Sequence, residues 1–92
     1  MIIEKIIRKL IKAGMKAGLA HPKAKLWAKV NCEDNFALAI SDTVNHAMMD
    51  VICDLIDAKD MTCVDWFNKE SNKEFKKIVR ETSRLVYRKL TH

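Results

Sequence analysis

Five cations near the end of the chain, Lys73, Lys77, Arg80, Arg84 and Arg88, recur at i, i+4, i+7, i+11 and i+15. On a helix that spacing draws a straight stripe about 22 Å long, at a rise of 1.5 Å per residue. Lys76 widens the stripe, and Tyr87 is expected to project from the same side near Arg80 and Arg84. A stripe of this kind can follow the phosphates of RNA or DNA, releasing a counterion for each phosphate it neutralises. Tyr87 can add base stacking, which needs only a flat ring beside the backbone track. The competing reading is a solvated helix face partly paired with Glu74 and Glu81, and an acidic protein surface is the other partner such a face would meet.

A secondary basic face lies at the opposite end of the chain, where Lys5, Arg8, Lys9, Lys12 and Lys16 share one sector of a helical wheel. Ile2, Ile3, Ile6, Ile7, Leu10 and Ile11 fill the other half. Cationic amphipathic helices can lie on anionic membranes. A chain of 92 residues needs those six aliphatics inside, however, so peripheral membrane contact ranks below a core role.

Asp42, His46 and Asp50 stand at i, i+4 and i+8, with Asp57 further along. Carboxylates and imidazole one turn apart can share a metal. The run lacks the Glu-x-x-His pairs of di-iron bundles, and a wet acidic strip is the preferred reading. Cys32, Cys53 and Cys63 form no Cys-x-x-Cys pair, and Cys53 falls on that acidic strip, which disfavours a thiolate. There is no glycine-rich phosphate loop, no Gly-x-Ser-x-Gly and no His-Glu-x-x-His. The chain is therefore expected to be non-enzymatic, with no cofactor and no metal.

Charge is sorted into blocks. Residues 1–29 carry net +7, residues 30–68 net −7 and residues 69–92 net +5, within a formal net charge of +5 for the whole. Such sorting points to partners of opposite charge, not to a reaction. An odd cysteine count with wide spacing argues against a disulfide framework and for a reducing, cytoplasmic setting. Apolar stretches are short and broken by charge, so no transmembrane segment is expected.

These residues must be carried by helices. Two Gly and one Pro leave too few turn signals for a β-rich fold, and 49% hydrophobic residues suffice for a packed core. Apolar periodicity near 3.6 residues predicts a helix over 2–19, a short basic helix after His21-Pro22 through about Val30, and a long helix from an Asn31 cap to about Ala58. Leu26, Trp27 and Val30 are the expected apolar contacts of the short helix. Thr62 can cap a further short helix over 62–68, and a Ser71–Glu74 capping box predicts the last helix over about 72–90.

The fold expected is all-α, a compact single-domain bundle (residues 1–92) of four to five helices with a long central helix. Self-association into a homo-oligomer is also expected. The central helix is apolar past half its circumference, and Gly14 and Gly18 would permit a tight contact between copies. Function follows as an expectation in two forms. The first is a small nucleic-acid-binding regulatory protein, RNA ahead of DNA. The second is a small inhibitor or adaptor, phage- or antitoxin-like, acting through charged helical faces on a larger protein.

Overall fold

The computed structural model describes residues 4–59 and 69–92. Four helices run through them: α1 (Glu4–Ala20), α2 (Ala24–Val30), α3 (Glu33–Asp57) and α4 (Lys69–Thr91), with no strand among the described residues. The predicted short helix over 62–68, with Thr62, Trp66 and Phe67, lies outside the described residues, as do Ile2, Ile3 and Cys63.

The amphipathic patterns determine which side of each long helix turns inward. Ile6, Leu10, Gly14 and Gly18 of α1 are buried, one turn after another. Phe36, Ile40, Val44, Met48, Ile52 and Leu55 of α3 form the opposing row. Phe75, Ile78, Val79, Thr82 and Val86 of α4 complete a three-sided core. Burying such side chains stabilises by roughly 1.5–3 kcal/mol each before chain entropy is counted.

Two glycines set how closely the helices approach. A Cβ on Gly14 would lie 2.7 Å from Met48 Cε and 3.0 Å from both Thr82 Cγ2 and Val44 Cγ1. One on Gly18 would lie 2.7 Å from Val86 Cγ2. Gly14 opposite Thr82 and Gly18 opposite Val86 make α1 and α4 parallel neighbours. Both glycines are therefore used inside the chain and cannot serve the contact between copies that their spacing led us to expect. The broad apolar face of α3 is also covered, Leu38 excepted, by α1 and α4.

Helix α3 runs antiparallel to α4. Tyr87 stacks at a tilt on Phe36, with ring centroids 5.4 Å apart. Arg84 and Arg88 reach Asp34 and Glu33, while Ser41 and Asn45 lie beside Lys76 and Val79. The bundle thus goes up, down and up, measures 41 × 22 × 18 Å, and carries α2 across the end where α3 begins and α4 finishes.

Several local expectations are corrected. Asn31 does not cap α3; its side-chain amide donates to the Trp27 carbonyl and closes α2 instead, and α3 begins after Cys32. The helix expected from Asn72 is already formed at Lys69, so Ser71 is a buried residue within it and no cap. In α2 the buried residues are Ala24 and Ala28, not Leu26 and Val30. Small side chains there let the short helix lie close on the bundle, which turns its larger aliphatics outward. Trp27 is half-buried against the core and stacks on His21, with centroids 4.7 Å apart. Helix α3 closes at Lys59, a non-glycine residue in the left-handed region (φ 62°), whose amide donates to the Ile56 carbonyl. For an L-residue that conformation costs roughly 1–2 kcal/mol.

Candidate nucleic-acid interface

The stripe on α4 exists as an outward ridge, because its cations occupy the side of the helix opposite the buried row of Phe75, Ile78, Thr82 and Val86. Its two halves differ. Lys73, Lys76, Lys77 and Arg80 are all exposed, and none has an ion pair among the described residues. Arg84 is held by Asp34 (Nη2 to Oδ1, 3.0 Å) and Arg88 by Glu33 (Nε to Oε1, 2.8 Å). Both acids sit in the first turn of α3, where a carboxylate also favours the positive end of the helix dipole. Arg84 is half-buried, and its Nε has no hydrogen-bond partner.

Tyr87 does not project freely from the basic side. It is half-buried, packed onto the core and seated against the buried ring of Phe36. An expected stacking platform is thus a core side chain. The reason is angular: Tyr87 directly follows Val86 and lies on the flank that faces antiparallel α3. The missed partners, Glu33, Asp34 and Phe36, were visible in sequence only as a capping turn and an apolar position. Nothing in their spacing to residues 84–88 signals the contact.

The secondary face is also real. Lys5, Arg8, Lys9, Lys12 and Lys16 are all exposed along α1, and among the described residues only Arg8 is paired, with Glu4 at 2.9 Å. Of the aliphatics behind them, Ile6, Ile7, Leu10 and Ile11 form core contacts rather than a membrane-facing surface. Because α1 and α4 are parallel neighbours, the two ridges run side by side. A shallow groove lined by Met15, Leu85, Arg88, Lys89 and His92 lies between them. Leu85, although apolar, is partly exposed at this seam.

The third outer edge belongs to α3 and is acidic. Asp42, His46, Asp50, Cys53, Asp54 and Asp57 are exposed along it. No group of three His, Cys, Asp or Glu side chains is placed to hold a metal ion among the described residues. Cys32 and Cys53 are exposed free thiols. No helix among the described residues is long and apolar enough to cross a membrane.

The geometry thus defines an all-α bundle with two parallel basic ridges and one acidic edge. Comparison with known family models, with curated proteins and with solved structures finds no match to any of the three.

Proposed function

We propose that this is a non-enzymatic nucleic-acid-binding protein that holds the phosphate backbone of RNA or DNA. Its contacts come from the free half of the α4 ridge (Lys73, Lys76, Lys77 and Arg80), reinforced by Lys5, Lys9, Lys12 and Lys16 of α1. The observation that carries the reading is the exposure of these eight cations along two parallel helices, with no ion pair to any of them among the described residues. Rigid helices preset where the cationic side chains are anchored, so no backbone has to be ordered on binding, while the flexible lysine stems adjust to the phosphates. With Tyr87 seated on Phe36, no aromatic remains on the ridge to stack on a base. Binding is therefore by backbone and shape, and the preference for RNA loses the residue that supported it. The exposed free thiols Cys32 and Cys53 suit a reducing, cytoplasmic setting.

The test is a salt series. Affinity for a short labelled duplex is expected to fall steeply between about 50 and about 200 mM salt, with log K linear in log salt. Affinity that is absent, or flat across that range, ends the reading.

A second reading, an inhibitor or adaptor acting on a larger protein, has its own support in Leu38. That side chain is 75% exposed on α3, with the exposed Asp42 one turn to one side and Asp34, which also holds Arg84, one turn to the other. An apolar contact between acids suits a basic protein surface. A complex that survives nuclease digestion and is lost in Leu38→Asp would favour it over the first.

A further inference from the structure

Helix α2 inverts the usual rule for a surface helix. It buries its two alanines, Ala24 and Ala28, and turns its two aliphatics, Leu26 and Val30, to solvent. Leu26 is 57% exposed and Val30 69%, and they stand one turn apart on the same outer strip. Single exposed aliphatics are ordinary. Close approach through Ala24 and Ala28, with Trp27 half-buried against the core, explains why this helix turns Leu26 and Val30 outward, and it leaves two neighbouring aliphatics uncovered at one end of an elongated molecule.

Charge surrounds this strip. Lys23 precedes the helix, and Lys25 and Lys29, one turn apart, run beside Leu26 and Val30. All three lysines are exposed and none is ion-paired among the described residues. The acids at this end of the bundle are Glu33 and Asp34, and both are already tied to Arg88 and Arg84. The end therefore presents two aliphatics among uncompensated cations, with no free carboxylate in the first turn of α3 to oppose an anion.

We propose that the α2 end docks on an anionic lipid bilayer. Leu26 and Val30 enter the headgroup–acyl boundary, and Lys23, Lys25 and Lys29 meet the lipid phosphates and carboxylates. Three arguments choose this occupant. Charge complementarity calls for an anionic surface, and a lysine near such a bilayer is attracted individually while its stem stays in apolar contact. Two side chains cannot supply the roughly 800 Å² per partner of a stable protein interface, so a second copy is poorly served here. A bilayer boundary, by contrast, accepts a small wedge of any shape. The contact is peripheral, since no described helix can span, and it leaves the ridges of α1 and α4 free. It stands independently of the nucleic-acid reading.

The experiment is co-sedimentation of nuclease-treated protein with vesicles of phosphatidylcholine alone or phosphatidylcholine with phosphatidylserine. The wild-type chain is expected to pellet with the anionic vesicles and stay in solution with the neutral ones. Leu26→Ser with Val30→Ser is expected to weaken that binding about tenfold, since two exposed apolar groups no longer enter the boundary. Lys25→Glu with Lys29→Glu is expected to weaken it at least as much. Both pairs are exposed, and helical circular dichroism confirms that each variant folds. Lys73→Glu with Lys77→Glu, on α4, is the control and should leave vesicle binding within about twofold while reducing duplex affinity. No pelleting of the wild-type chain with anionic vesicles overturns the proposal. So does vesicle binding that is insensitive to Leu26→Ser with Val30→Ser, or that is lost equally in the α4 control, because either result reduces the effect to unspecific charge.

Discussion

The two halves of α4 carry the same kind of charge and do different things with it. From Lys73 to Arg80 the cations face solvent with no ion pair among the described residues. From Arg84 to Arg88 they are answered by Asp34 and Glu33, and Tyr87 between them rests on Phe36. One periodic pattern thus yields an exposed cationic ridge at one end and an intramolecular clasp at the other. The difference is set by what antiparallel α3 brings alongside. Near Lys76 it offers Ser41 and Asn45, with Asp42 nearby but unpaired, and near Arg84 it offers its acidic first turn. The number of cations on a face is therefore not the number available to a ligand.

The largest expected effect breaks the clasp at its base. Phe36→Ala removes a fully buried ring that supports Tyr87 and should cost about 3–5 kcal/mol in urea unfolding. A loss below about 1 kcal/mol would mean that the α3–α4 packing at this end is not as described. Next comes the free half. Charge reversal of Lys73, Lys77 and Arg80 together should lower duplex affinity about a hundredfold or more near 0.1 M salt, measured by anisotropy, with thermal stability nearly unchanged. An affinity left intact would move the interface elsewhere.

The comparison is sharpened by opening the clasp. Glu33→Gln with Asp34→Asn releases two guanidinium groups and should steepen the salt dependence of log K by about one to two units. If the slope does not move, Arg84 and Arg88 lie off the path of the nucleic acid even when free. Losing the ion pairs themselves is a small matter. Arg84→Gln with Arg88→Gln should cost no more than about 1 kcal/mol in total, because both pairs are partly open to solvent and screened. Last, Tyr87→Leu keeps an apolar side chain on Phe36 and should leave duplex affinity unchanged; a clear fall in a folded variant would restore the stacking role.

Much of this architecture is legible in the pattern of residues. The rows Ile6–Leu10–Gly14–Gly18 and Phe36–Ile40–Val44–Met48 repeat at helical spacing, and they are buried as that spacing demands. Helix α4 is likewise readable, except that Leu85 surfaces at the seam with α1. The errors fall where size, not polarity, decides. Leu26 and Val30 look like anchors because they are apolar, yet Ala24 and Ala28 permit the closer approach and take the inner side. Asn31 looks like the start of α3 because it is a good cap, yet its amide reaches back to Trp27. The candidate site was half readable for the same kind of reason. Spacing along one helix places cations on a line, but pairing with residues some fifty positions away leaves no mark in that spacing.

Local order alone determined that this chain coils, which side of each long coil is apolar, and that its positive charges gather in lines. Those properties follow from a 3.6-residue repeat and need no knowledge of neighbours. Folding in three dimensions decided which of those charges keep their full field. It put α3's opening turn against Arg84 and Arg88, closed Gly14 and Gly18 inside the core, and left Lys73, Lys76, Lys77 and Arg80 facing water. A hydrogen-bonded ion pair needs its partners about 3 Å apart, and only the packed arrangement says which distant residues come within that reach.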